Sequence, residues 1–246
     1  MATDQTVQKW ALITGAGSGM GSATAQRYLR GGWGVLALDK AAAPIEALAE
    51  EHEGAVIPVA IDIVDRDAVK KAIDESGIAP QLFTALNIAG VYPPTSLDEY
   101  TEEQYSLIFD VNVLGTLNVA SEAIAAFRAH GTKGAIVNFA SVDAFTPKPA
   151  QLLYAASKAA VVSLTRSLAA TVAGEDIIVN AVAPGWVNTP GNQATGRMVG
   201  AEAKIPLGRI AHPDEIAEWV YALGSRETLT YMTGETIRIA GGMAGS

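Results

Sequence analysis

Tyr154 and Lys158 stand four residues apart in the run Leu153-Tyr154-Ala155-Ala156-Ser157-Lys158. On a helix that spacing stacks the two side chains one turn apart on a single face. An ammonium beside a phenol favours the phenolate and lowers the tyrosine pKa from its usual value of about 10. A tyrosine so tuned can donate or accept a proton near neutral pH. The spacing by itself is a weak signal. Seven tyrosines and the lysines of a 246-residue chain produce it by chance in roughly one such chain in four. The pair gains meaning only if other segments supply something for the proton to act upon.

One such segment is Thr14-Gly15-Ala16-Gly17-Ser18-Gly19-Met20-Gly21. Its glycines follow the pattern G-x-x-x-G-x-G through Gly15, Gly19 and Gly21, between an apolar run and a helical pattern. Glycine there allows a tight turn and lets backbone N–H groups approach a pyrophosphate at a helix N-terminus. A plain glycine-rich turn has the same composition; the strand before and the helix after point to phosphate. Asp39 closes the second apolar run, eighteen residues after Gly21. A carboxylate at that place accepts hydrogen bonds from an adenosine ribose and repels a 2′-phosphate. The glycine loop holds no Arg or Lys. Both features favour NAD over NADP, while Lys40 beside the acid could offset the repulsion. Asp39 could also be a simple turn residue.

The elements that position these residues are legible in the apolar pattern. Strands are expected over 10–14, 34–39, 55–61, 82–88, 134–140, 177–183 and 235–240. Helices are expected over 19–31, 44–52, 65–76, 102–130, 150–173 and 213–224. The strand runs, such as Val35-Leu36-Ala37-Leu38, are continuously apolar, as in parallel strands buried on both faces. Strand–helix alternation predicts an α/β doubly wound sheet of about seven strands with helices on both faces. No linker, repeat or low-complexity stretch divides residues 1–246, so a single domain is expected. Pro147–Pro149 and Pro184–Ala201 are irregular and follow strands. Ligands in such sheets bind beyond the carboxyl ends of the strands, which makes both segments candidate site loops.

Composition narrows the function. The chain is 49% hydrophobic and 17% charged, which suits a large core and argues against disorder. With no cysteine, disulfides, thiolate metal sites and cysteine nucleophiles are excluded. His52, His130 and His212 are scattered singly and read as solvated or capping residues, so no catalytic metal is expected. A net charge of −9 disfavours nucleic acid and anionic membranes. Residues Met1–Gln5 carry no signal-peptide pattern, and no uncharged apolar run reaches a membrane span. A soluble cytoplasmic protein is expected.

Taken together, the motifs resemble those of the short-chain dehydrogenase/reductase family, over nearly the whole chain. Thr14-Gly15-x-x-x-Gly19-x-Gly21 is similar to its cofactor loop. Asp62-Ile63 resembles the pair that lines the adenine. Asn87-Ile88-Ala89-Gly90 resembles the Asn-Asn-Ala-Gly motif, with Ile88 in place of the second Asn. Asn112 resembles the catalytic asparagine. Ser141 follows the fifth strand, ahead of Tyr154 and Lys158. Pro184-Gly185-Trp186-Val187-Asn188-Thr189 resembles the Pro-Gly-x-x-x-Thr segment beside the nicotinamide.

The resemblance implies a Rossmann-type fold and hydride transfer between nicotinamide and a carbon bearing oxygen. It implies that Tyr154 moves the hydroxyl proton and that Lys158 lowers the Tyr154 pKa and binds the nicotinamide ribose. Ser141 would hydrogen-bond the substrate oxygen, and Asn112 would hold a water linking Lys158 to solvent. The implied NAD site comprises Gly15, Ser18, Gly19, Met20, Gly21, Asp39, Asp62, Ile63, Asn87, Ala89, Gly90, Tyr154, Lys158, Pro184, Gly185, Val187 and Thr189. Taken singly, Ser141 reads equally as a strand-end hydroxyl, Asn112 as a buried amide and Tyr154 as a packing aromatic. A Ser-His-Asp hydrolase fits poorly, because no G-x-S-x-G elbow is present.

The same resemblance places Tyr92, Ser141, Asp143, Gln151, Tyr154 and Trp186 around the substrate, with Val91, Asn188 and Asn192 near them. Asp143 buried without a partner would be costly. A small polar secondary alcohol is therefore expected: a polyol, sugar, hydroxy acid or hydroxyketone. Asp143 facing water or capping a turn is an equal reading. The loop 184–205, with Gly191, Gly196 and Gly200, could order over a small substrate. Helices 102–130 and 150–173 are apolar round much of their circumference, and the resemblance implies a homotetramer built through them, with a dimer as the alternative. Two other functions stay open. One is an NADPH-dependent ketoreductase of acyl-carrier substrates. The other is a non-catalytic nucleotide sensor on the same fold.

Overall fold

The computed structural model describes residues 9–146, 148–196 and 198–243. Met1–Gln5, Pro147 and Arg197 thus lie outside the described residues. Among those described, β1 (Trp10–Thr14), β2 (Gly34–Asp39), β3 (Val56–Ala60), β4 (Leu82–Asn87), β5 (Ala135–Phe139), β6 (Ile178–Pro184) and β7 (Thr236–Ile239) form one sheet. Its order is β3-β2-β1-β4-β5-β6-β7, and every neighbouring pair is parallel. This is the Rossmann-type doubly wound arrangement.

The continuous apolar runs arise because successive residues of one strand enter different cores. Leu12, Leu36 and Leu38 point into the layer that contains Val119, Ile124 and Phe127. Ala11, Ile13, Val35 and Ala37 point into the opposite layer with Tyr28, Ile45, Ile216 and Val220. Helices α1 (Gly19–Arg30), α2 (Ala42–Glu51) and α3 (Arg66–Ser76) begin or end within two residues of the expected limits, the usual uncertainty of helix ends.

The long helix expected over 102–130 is interrupted. It consists of α4 (Glu102–Phe109), a π-helical turn at Asp110–Gly115 and α5 (Thr116–His130). By length and composition Glu102–His130 could cross a membrane. Here Val119, Ala120, Ala123, Ile124 and Phe127 pack in the core against the sheet, and its buried Asn118 donates to Ile63 O and Val64 O at 3.1 and 3.0 Å. It is a core helix. Further on, α6 (Leu152–Val172) carries Tyr154 and Lys158, and α8 (Pro213–Gly224) precedes β7. The stretch after Pro184, read as irregular, contains the short helix α7 (Pro190–Ala194) and a 3₁₀ turn at Ala201–Lys204. The three histidines cap or close helices: His52 at the end of α2, His130 at the end of α5 and His212 before α8.

The chain reverses direction across the sheet between β1 and β4, which opens a crevice at their carboxyl ends. Thr14 ties that edge together. Its hydroxyl accepts the N–H groups of Ile88 and Ala89 at 3.0 and 3.1 Å.

Candidate active site

The first half of the crevice is a cavity of about 340 Å³ under the glycine loop. Gly15 takes a positive φ of 67°. A Cβ at Gly21 would lie 1.9 Å from the Gly15 carbonyl oxygen, so the turn is closed to any side chain there. Ser18 precedes α1 without using its side chain as a cap, and the first turn holds no acid. The helix N-terminus therefore keeps the positive end of its dipole and its N–H groups for an anion.

Asp39 borders this cavity, held by backbone. It accepts Gly17 N–H at 2.9 Å and Ala41 N–H at 2.9 Å. It is thus both a turn residue and an acid at the cavity edge. Lys40 turns to Asp62, with Nζ 2.9 Å from Oδ2. Val64 N–H and Lys40 hold the Asp62 carboxyl below its usual range. Ile63, Ala89 and Gly90 complete the wall. An NAD-sized dinucleotide fits the chemistry of this donor set: bare N–H groups for phosphate, a carboxylate for ribose hydroxyls and an apolar slot for a base.

Lys158 lies below the crevice, only 4% exposed. Its Nζ donates to Phe139 O at 2.7 Å, at the end of β5. Burial pushes its pKa down to about 8. The ammonium stands 5.8 Å from the Tyr154 ring centre. Tyr92 packs edge-on against the same ring at 5.9 Å.

The π-helical turn presents the Asn112 side chain to two neighbours through three hydrogen bonds. Its Nδ2 donates to Val91 O at 2.9 Å and to Ser157 Oγ at 3.0 Å, and its Oδ1 accepts Val91 N–H at 2.9 Å. Ser157 in turn donates to Tyr154 O at 2.7 Å. The Asn112 side chain is therefore a clamp joining the loop after β4 to α6, between Tyr154 and Lys158. Its main-chain carbonyl accepts the Thr116 hydroxyl at 2.8 Å. A Cβ on Gly90 would lie 3.1 Å from Asn112 Oδ1 and 3.4 Å from Lys158 Nζ. A side chain at this position would crowd both groups on the crevice floor.

The second half of the crevice is a cavity of about 320 Å³ lined by Ser141 and Tyr154. Met20, Tyr92 and Thr189 border both cavities. Ser141 Oγ accepts Asp143 N–H at 3.1 Å, which leaves the hydroxyl hydrogen to serve as donor elsewhere. Asp143, Gln151 and Trp186 line the same space. Gln151 is placed by a bridge to Thr95: Leu152 N–H donates to Thr95 O at 3.2 Å, and Thr95 N–H donates to Ala150 O at 3.2 Å.

Other expected site residues sit elsewhere. Asn87 is buried in the sheet, where it donates to Asn138 Oδ1 at 2.8 Å. Pro184 and Gly185 border the second cavity rather than the first. The Val187 side chain is in the core, and its carbonyl accepts Asn192 Nδ2 at 2.9 Å. Asn192 reaches the second cavity, while Asn188 accepts from Gln193 at 2.8 Å. Lys148, to which the sequence pattern assigns no chemistry, lines the second cavity 3.4 Å from Asp143. Its place in an irregular segment after a strand was the available signal. Met243 on the same wall had none.

A family model described as short chain dehydrogenase matches residues 9–200. A 3-oxoacyl-(acyl-carrier-protein) reductase of Thermotoga maritima is 35% identical over 244 residues, 96% of this chain and 97% of the relative. A glucose 1-dehydrogenase of Gluconobacter oxydans is 33% identical over 249 residues, 98% of this chain and 93% of the relative. Among solved structures, a 3-ketoacyl-(acyl-carrier-protein) reductase of Brucella melitensis complexed with NADH is similar at a TM-score of 0.89. It is 32% identical, over 97% of this chain and 100% of that chain.

Proposed function

The chain belongs to the short-chain dehydrogenase family, and we propose that it interconverts a small polar secondary alcohol and its carbonyl with NAD. The observation that carries this reading is the convergence of Ser141 and Tyr154 on a cavity of about 320 Å³ that adjoins the glycine-loop cavity. When bound, the nicotinamide supplies the hydride acceptor or donor.

The glycine loop and the N-terminus of α1 would hold the diphosphate. Asp39 accepts hydrogen bonds from the ribose hydroxyls and repels a 2′-phosphate. Lys40 has its ammonium directed at Asp62, which supports NAD over NADP. Tyr154 takes the substrate hydroxyl proton during oxidation and returns it during reduction. Ser141 donates to the substrate oxygen through its hydroxyl hydrogen, while its oxygen accepts Asp143 N–H. The Lys158 ammonium, 5.8 Å from the Tyr154 ring centre, would stabilise a Tyr154 phenolate and would meet the nicotinamide ribose. Asn112 fixes the distance between the loop at Val91 and the Tyr154–Lys158 turn. Its amide is committed to Val91 and Ser157, so a water relay at Asn112 would use its main-chain carbonyl, which also accepts the Thr116 hydroxyl.

An acyl-carrier ketoreductase is the second reading, supported by the names of the Thermotoga and Brucella proteins. The net charge of −9 weighs against docking an acidic carrier. Self-association is also proposed. Leu114, Leu117 and Leu152 are large apolar side chains left exposed on the π-helical turn, α5 and α6, and a tetramer built on these helices would cover them.

Turnover of alcohols with NAD and NADP, and of carbonyl compounds with NADH and NADPH, tests the reading. Small polar substrates with NADH should give the highest kcat/KM. Tyr154→Phe should bind NADH normally yet lose at least about a hundredfold in kcat, the lower range for removing a general acid/base. Near-normal activity in that variant removes Tyr154 from the mechanism. Turnover confined to acyl-thioester substrates with NADPH would favour the second reading.

A further inference from the structure

We propose that Lys148 and Asp143 recognise a second hydroxyl on the substrate, so that the site selects neutral vicinal diols, polyols or sugars. The inference rests on the alcohol-oxidoreductase reading above and narrows its substrate class. Lys148 Nζ and Asp143 Oδ1 stand 3.4 Å apart on the wall of the Ser141–Tyr154 cavity. The pairs Arg128–Glu175 and Arg209–Glu215 close to 2.6 and 2.7 Å on the surface. A charge-assisted hydrogen bond draws its partners to about 2.7–2.9 Å. The cavity pair is therefore set beside one another without a tight hydrogen bond.

A hydroxyl is the group that satisfies both members at once. It accepts from the ammonium and donates to the carboxylate. The pair carries no net charge, so it gives no advantage to an anion. A substrate carboxylate near Lys148 would also lie near Asp143 and be repelled. A substrate ammonium would meet Lys148 with the same result. Asp143 backbone N–H bonds Ser141 Oγ at 3.1 Å, and the recognition pair lines the same cavity as Ser141 and Tyr154. The second hydroxyl would then sit on a carbon neighbouring the reacting one. Trp186 and Met243 on the cavity wall offer apolar contact to the carbon skeleton. A single-hydroxyl alcohol filling the same space would leave the paired charges without that partner.

The test compares compounds with one skeleton: 2,3-butanediol, 2-butanol and 3-hydroxybutyrate, with sorbitol and 2-hexanol as a six-carbon pair. The purified protein is assayed with NAD by absorbance. The diol or polyol should exceed the mono-alcohol in kcat/KM by roughly tenfold or more, as a hydrogen bond to a charged group allows. Lys148→Met and, separately, Asp143→Asn should bring that ratio toward one, chiefly through the KM of the diol. Melting curves confirm that each variant is folded, and the wild-type ratio stands without them. A wild-type ratio near one, an equal loss on both alcohols in the variants, or a preference for 3-hydroxybutyrate would overturn the proposal. Absence of turnover on every alcohol would instead overturn the oxidoreductase reading beneath it.

Discussion

Lys158→Met should make the protein more stable at neutral pH while disabling it. Lys158 is buried, and its Nζ meets Phe139 O at 2.7 Å. Burial lowers its pKa from 10.5 to about 8. A base whose folded pKa lies below its unfolded value is penalised whenever it must be charged in the folded state. The penalty is complete below about pH 8 and fades as pH rises toward 10.5. The gap between those values corresponds to roughly 3 kcal/mol. Methionine has a similar length and no charge, so it removes the penalty. It also leaves the Phe139 carbonyl without its donor, a loss of about 2 kcal/mol. The balance favours the variant by roughly 1 kcal/mol at pH 7, a rise of about 2–4 °C in melting temperature. By pH 10 the same linkage leaves a penalty of under about 1 kcal/mol in the wild type. The order of stability should then invert. Urea unfolding of both proteins at pH 7, 8, 9 and 10 reads this directly. A stability difference that does not change with pH would refute the reasoning, as would a variant weaker at pH 7.

The buried chain from Asn87 through Asn138 to Thr165 should be costly to break. Asn138→Ala removes hydrogen bonds of 2.8 and 2.9 Å and leaves a cavity, so about 3–5 kcal/mol should be lost. Calorimetry should show a fall of roughly 10 °C; a fall under about 2 °C would contradict the network's weight. Sedimentation tests self-association: the wild type should run as a tetramer, and Leu114→Glu with Leu117→Glu should reduce it to smaller species. A monomeric wild type would dismiss the apolar helix face as an interface.

Much of the architecture follows from local pattern. Strand runs such as Val35-Leu36-Ala37-Leu38 announce burial on both faces, and their alternation with helical periods implies the parallel sheet. The Tyr154–Lys158 register is equally local, because helix geometry alone stacks residues four apart. The glycine loop is readable for a similar reason: only Gly21 tolerates the 1.9 Å approach that a Cβ would make to Gly15 O. Asn112 shows where such reading stops. Its residue type is visible, but the π-helical turn that aims its amide at Val91 and Ser157 comes from how α4 and α5 meet α6.

The sequence by itself determined the sheet, the phosphate loop and the proton-carrying helix face, since each depends on spacing within one element. The tertiary structure alone decided which charges meet. It paired Lys40 with Asp62 across β2 and β3. It sank Val187 into the core and set Lys148 beside Asp143 in the cavity. Those outcomes depend on how loops from separate strand ends pack over a common edge. Backbone periodicity carries no record of that packing.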